Sequence, residues 1–257
     1  KSLNDTEIKK DDITKMLVDK IKSRFASLKW VSGKEAYLAL SLSDKPKDKT
    51  KKIIRDLLLL YSIEYIVRQC EKGQTLYKFP FKAFKETKAG KGWDIEHIDS
   101  YTTNDLNNYK DQKDWLSGAN IALLRFGDDH KVLIADIDKY VKSGKADESF
   151  EELSGKIQKV FGEDANDEET KNGIGNLALL DAGTNRGYGN AVFPSKRAAI
   201  LNKDAAGEFF PIGTKNVFLK YFDKTGFSTN TWNKEDIKMY RDAIAETLCK
   251  FLPGKEN

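Results

Sequence analysis

The chain has 257 residues, with 44 basic against 40 acidic side chains and a net charge of +4 at pH 7. That balance is too mild to identify a nucleic-acid binder, which would need a local concentration of Lys and Arg. Hydrophobic residues make up 39% and charged residues 33%, which suits a helix-rich protein with a wet surface. No apolar run is long enough to cross a bilayer, and the Lys- and Asp-rich start is not a signal peptide. Cys70 and Cys249 lack metal-type spacing. We expect reduced thiols in a cytoplasmic protein, although a single disulfide stays open. The chain starts at Lys1 rather than Met, so we expect a piece of a longer or processed protein.

Residues 3–28 carry Ile8, Ile13, Met16, Leu17, Ile21 and Phe25 at helical spacing. A second helix is predicted over 34–42, and Pro46 breaks the chain after it. Residues 51–69 form a third, with too many apolar positions for one stripe, which makes it central to the core. Residues 75–81 read as a short strand. Lys85, Lys88 and Lys91, with Gly90 and Gly92, then lead into Trp93-Asp94-Ile95-Glu96-His97-Ile98-Asp99. This basic lead is either a solvated loop or a phosphate-contacting arm.

Residues 93–99 alternate apolar and polar side chains, a strand pattern, and hold one of only two histidines. Neighbours on a strand face opposite ways, so Glu96 and His97 serve one site only where the strand ends or bends.

A long helical insertion, about residues 103–170, follows. Thr103-Asn104-Asp105 offers a cap for a helix over 106–119, with helical packing continued through 120–126. Further helices are predicted over 131–142 and 149–161. His130 is read as part of a helix start. Residues 162–173 are an acidic loop. Residues 174–180 are predicted as a second strand, followed by a loop rich in Asn and Gly. Later helices are expected over 194–202, 214–222 and from 232 to about 252, the last capped by Asn233. The tail, 253–257, is expected to be disordered. Trp30, Trp93, Trp115 and Trp232 are expected to anchor packing.

Hydrolysis of a phosphodiester needs an activated water, a Lewis acid and stabilisation of the departing oxygen. His97 is the best base in the chain. Glu96 offers a hard oxygen for a divalent metal, and Asn185 a neutral one. Asn176 is placed to fix the loop through side-chain-to-backbone hydrogen bonds. Lys196 and Arg197, in the first turn of a helix, are candidates for DNA phosphates.

Ile-Glu-His-Ile, then Gly-Asn-Leu-x-Leu-Leu, then Asn, then Asn-x-x-Phe-x-x-Lys-Arg resembles the HNH (ββα-metal) endonucleases. The pattern is most similar to the C-terminal nuclease region of GmrSD-type modification-dependent restriction and phage-defence proteins. The resemblance implies that His97 activates water and that Asn176 holds the loop. It also implies that Glu96 and Asn185, nine positions after Asn176, hold the metal, with Mg²⁺ expected and Mn²⁺ an alternative. Asp99-Ser100-Tyr101 departs from the family's Pro- or Gln-bearing continuation.

The implied activity is metal-dependent cleavage of DNA, by nicking or by double-strand cutting as a homodimer. Lys91, Arg186, Lys196 and Arg197 are the expected contacts to nucleic acid. A nucleotide-handling, modification-sensing region would be a partner outside this chain, because no Gly-rich phosphate loop occurs here. The alternative is a non-catalytic DNA-binding or partner-docking domain with a nuclease-like fold. The expected architecture is α+β: mainly helical with an embedded two-stranded ββα-metal unit. Its parts would be a helical region at 1–92, a nuclease core at 93–202 with the long insertion, and a C-terminal helical region at 203–257.

Overall fold

The computed structural model of the chain describes residues 9–26, 40–73, 78–85, 92–99, 106, 108–143, 148–161, 168–181, 191–222 and 230–252. These residues are mainly helical, with one small antiparallel sheet. The helices are α1 (Lys10–Phe25), α2 (Lys47–Glu71), α3 (Phe81–Lys85), α4 (Tyr109–Leu123), α5 (Lys131–Ser143), α6 (Phe150–Phe161), α7 (Glu168–Asn172), α8 (Phe193–Ala205), α9 (Ile212–Leu219) and α10 (Lys234–Leu248). The strands are β1 (Trp93–His97) and β2 (Leu177–Asp181). No helix among the described residues is long and apolar enough to cross a membrane.

The longest helix, α2, is central because its apolar residues exceed one face. Ile54, Leu57, Leu58, Tyr61 and Ile66 are all buried. The first four meet both strands, α9 and α10 in a single core with Phe193, Phe218, Trp232 and Tyr240. The insertion builds a second core from Trp115, Leu116, Leu123, Ile137, Leu153, Ile157 and Phe161. Val192, just before α8, joins that second core. The Ser195 hydroxyl donates to the Gly118 carbonyl at 3.0 Å, tying α8 to α4.

Several expectations change. The stripe on α1 does not pack as a whole: Ile13, Met16 and Leu17 are exposed and Phe25 alone is buried. The helix is fastened at its C-terminal end, where Arg24 pairs with Asp56. Residues 40–42 are not helical, because Ser41 bridges Gly173 and the Leu40 carbonyl accepts from Ile174 N–H. The strand expected at 75–81 is not seen in its described part, since Phe81 opens α3. The cap of α4 is Asn108, whose side chain accepts from Asp111 N–H; the predicted cap, residues 103–105, lies outside the described residues. Residues 174–176 form a 3₁₀ turn and the strand proper begins at Leu177. The end of the polar stretch before it is the short helix α7.

Asn233 caps α10 as expected, accepting from Glu235 and Asp236 N–H. His130 ends a 3₁₀ turn leading into α5. Trp93, Trp115 and Trp232 are buried anchors, and Trp30 lies outside the described residues. Both cysteines are free and exposed, so the disulfide alternative falls. The tail at 253–257 also lies outside the described residues.

Gly175 sits where the 3₁₀ turn presses against α10. A Cβ there would come within 2.5 Å of the Ile237 carbonyl oxygen and 3.0 Å of Arg241 Cβ. Backbone cannot yield as a flexible side chain can, so Gly175→Ala forces the turn and α10 apart. The expected loss is about 1–3 kcal/mol, checked by urea unfolding; an unchanged midpoint would show that the turn shifts freely.

Candidate active site

The site begins with the pairing of β1 and β2, which brings together residues some 80 positions apart. The register sets Trp93 opposite Asp181, Glu96 opposite Ala178 and His97 opposite Leu177. Every residue of Leu177–Leu180 is buried, so this strand is covered on both faces and reads as a continuous apolar run. In β1, Trp93 and Ile95 are buried while Asp94, Glu96 and His97 are partly exposed. The Trp93 indole stacks on Phe84, and its N–H donates to the Phe84 carbonyl at 2.6 Å, anchoring the start of the strand.

Asn176 anchors the other end. It is fully buried. Its Oδ1 accepts from Asp99 N–H at 3.0 Å, and its Nδ2 donates to the Asp99 carbonyl at 3.0 Å and to the Lys171 carbonyl at 2.9 Å. The Asn176 carbonyl accepts from Ile98 N–H at 2.8 Å. One side chain thus imitates a strand partner for the backbone just past β1. The sequence reading has Asn176 making such bonds to the Asn-Gly-rich loop after β2. Within the described residues they go to the exit of β1 and the end of α7; the loop at 182–190 lies outside those residues.

His97 ends β1. Its Nε2 lies 3.0 Å from Asn172 Oδ1. The Asn172 amide nitrogen donates to Ser43 Oγ at 3.1 Å, which orients the amide with its oxygen toward the ring. An amide oxygen only accepts, so Nε2 carries the proton and Nδ1 keeps its lone pair. Burial pushes the imidazole below its ordinary pKa; the Asn172 hydrogen bond and Glu96 oppose this, and Lys196 adds to it. The ring is therefore neutral at pH 7.

Glu96 and His97 are joined across the strand by Lys196, which α8 presents from the third turn-forming position after Phe193. The Lys196 ammonium donates to the His97 carbonyl at 2.8 Å and lies 3.3 Å from Glu96 Oε1. Lys196 is only 1% exposed. Expected as a contact to DNA phosphate, its ammonium is instead engaged inside the protein. Removing one partner of a buried pair strands the other charge. Lys196→Met should therefore cost about 3 kcal/mol, and adding Glu96→Gln should recover much of the loss. A double-mutant cycle in urea checks this, and additive effects would sink the pairing.

Arg197 is partly exposed, and its Nε donates to the Phe218 carbonyl at 2.7 Å. Burial, and then Arg125, lowers its pKa. Lys91, Asn185 and Arg186 lie outside the described residues. Among the described residues no three His, Cys, Asp or Glu side chains gather as a metal cluster. Sequence reasoning missed Asn172 and Ser43. They lie 75 and 54 positions from His97 in chain order, and only an Asn-Gly pair at 172–173 hinted at a structured turn.

Residues 145–247 match the family model described as GmrSD restriction endonucleases, C-terminal domain. The chain is thus similar to that C-terminal domain over less than half its length, and the match supports a nuclease of restriction-endonuclease type. The matched stretch holds Asn172, Asn176 and Lys196 and stops short of Glu96 and His97, which the sheet delivers to it. No curated protein and no solved structure matches the chain.

Proposed function

We propose that the chain is a metal-dependent endonuclease of the HNH (ββα-metal) type, cleaving DNA as the effector part of a restriction or anti-phage defence protein. The observation that carries this reading is the His97 imidazole at the end of β1, held through Nε2 by Asn172, with the neighbouring residue Glu96 a carboxylate on the Lys196 ammonium. In this reading β1, β2 and α8 are the ββα unit.

The residues fit a hard divalent cation. Glu96 offers a carboxylate oxygen of the kind such an ion takes, and would exchange its Lys196 partner for the ion. One carboxylate, a neutral amide oxygen from Asn185 and several waters suit Mg²⁺ at a phosphate, with Mn²⁺ as the alternative. Such an ion supplies Lewis acidity at the scissile phosphate and neutralises the departing oxygen.

The chain's own residues do the rest. His97 takes a proton from water at Nδ1, and the positive charge formed on the ring is eased by the adjacent Glu96. Asn172 keeps the ring in one tautomer and orientation. Asn176 holds the strand exit that aims His97. Lys91, Arg186 and the part-exposed Arg197 are the proposed DNA contacts. DNA is the proposed substrate, a nucleotide-handling and modification-sensing region outside this chain the proposed partner, and a homodimer the route to double-strand cutting. A cytoplasmic location accords with the free thiols.

The test is conversion of supercoiled plasmid to open circles with Mg²⁺ or Mn²⁺, wild type beside His97→Ala. Binding of DNA without cleavage under either metal would favour the non-catalytic docking domain instead.

A further inference from the structure

The helical insertion meets the main core along α4 and α8, and two arginines stand at that seam. The Ser195 hydroxyl donates to the Gly118 carbonyl, and a Cβ on Gly118 would lie 3.8 Å from Ser195 Oγ. That face of α4 therefore looks at α8. Helical winding persists past the end of α4, with Leu124 in the helical region and Arg125 N–H donating to the Ala122 carbonyl at 3.1 Å. Residues two turns apart share a face, so Arg125 points its Cβ to the same side as Gly118. Arg125 is exposed. Arg197 stands two residues past Ser195 on α8. Its Nε donates to the Phe218 carbonyl at 2.7 Å, which fixes the guanidinium and leaves the outer nitrogens of its fork. Burial, and then the charge of Arg125, lower the Arg197 pKa, so the two guanidiniums feel each other. The arginine ion pairs among the described residues are those of Arg24, Arg68 and Arg241; neither Arg125 nor Arg197 has a carboxylate there.

We propose that Arg125 and Arg197 together hold one phosphate of a nucleic-acid backbone, so that the insertion takes part in gripping the strand. This rests on the reading of the chain as a nuclease. Two like charges left facing each other repel, and an anion between them turns that repulsion into two attractions. The guanidinium fork matches phosphate oxygens two at a time. Arg197 is oriented by the Phe218 carbonyl before any ligand arrives, which lowers the cost of ordering it. Its neighbour Lys196 reaches Glu96 and the His97 carbonyl, so α8 joins the arginine pair to the candidate active site. That connection favours a nucleic-acid strand over an acidic peptide as the occupant.

Fluorescence anisotropy of a labelled duplex oligonucleotide tests this, with the full chain carrying His97→Ala and no divalent metal, so that cleavage plays no part. Arg125→Ala and Arg197→Ala are each expected to weaken binding about fivefold and to reduce the slope of log K against log salt by about 1. Both release the same phosphate, so the double variant should lose much less than the product of the two. Arg197→Lys keeps the charge but not the fork and should recover only part of the loss. Lys113→Ala removes an exposed charge from another face of α4 and should change little. Arg125→Ala alters an exposed side chain and keeps the test informative should Arg197→Ala misfold. Unchanged binding by both arginine variants, losses matched by Lys113→Ala, or losses that multiply in the double variant overturn the proposal and leave the nuclease reading standing. Equal, arginine-dependent binding of poly-glutamate overturns it in favour of an acidic partner. Failure of the parent to bind any oligonucleotide overturns the nuclease reading, and this proposal with it.

Discussion

His97→Ala should lower plasmid cleavage by about 10²–10⁴-fold, the usual contribution of a positioned general base, while DNA affinity stays within about twofold. The reasoning is local. The imidazole is held by one hydrogen bond to Asn172, and in the proposed mechanism its Nδ1 lone pair accepts the proton. Burial keeps that ring neutral at pH 7, so the base is in its working form without first losing a proton. Alanine removes the base but leaves the His97 carbonyl as the acceptor for Lys196, and that bond belongs to the backbone. The fold should therefore persist, and circular dichroism beside the cleavage assay would show it. Equal cutting by wild type and variant would assign the proton transfer to another group and remove His97 from the mechanism.

Asn176→Ala should be among the most damaging single changes for stability. The side chain is fully buried and makes three hydrogen bonds, to Asp99 N–H, the Asp99 carbonyl and the Lys171 carbonyl. Truncation leaves three backbone groups without that partner where little water reaches. Each costs about 1–3 kcal/mol when left unmet, and partial relaxation brings the sum to about 3–5 kcal/mol. Asn176→Asp should be no better, because it restores one acceptor but presents oxygen to two carbonyls. Urea unfolding gives the measurement, and a loss under about 1 kcal/mol would mean that the exit of β1 is held by other contacts. Because the insertion has its own core, amide exchange should rise first around 97–99 and 171–177 and later within α4, α5 and α6.

The sequence was informative wherever a local rule acts alone. Periodicity placed α2, α5, α6 and α10, because an apolar stripe of period 3.6 must be buried against something. The Asn233 cap was legible because one side chain serves the N–H groups two and three residues on. Trp93–His97 was legible as a strand from alternation, and 174–180 as its partner from a short apolar run, although its first three residues wind into a 3₁₀ turn instead. Periodicity misled at α1, where the spacing is helical but the apolar face is largely exposed. Spacing reports conformation, whereas burial depends on what lies opposite.

By itself the sequence determined a mainly helical protein with two short strands, the neighbours Glu96 and His97 on the first of them, and Asn176 as a backbone-holding side chain; that the first strand ends at His97 came from the structure. Only the tertiary structure decided what those residues touch. The register of β1 against β2 set Glu96 opposite Ala178. The docking of α8 turned Lys196 from a supposed phosphate contact into a buried link between Glu96 and the His97 backbone. The Ser41–Gly173 bridge brought Ser43 to Asn172 and Asn172 to the imidazole. These are contacts between residues about 75 to 130 positions apart. Local propensity carries no information at that range; side-chain packing and the pairing of buried polar groups do.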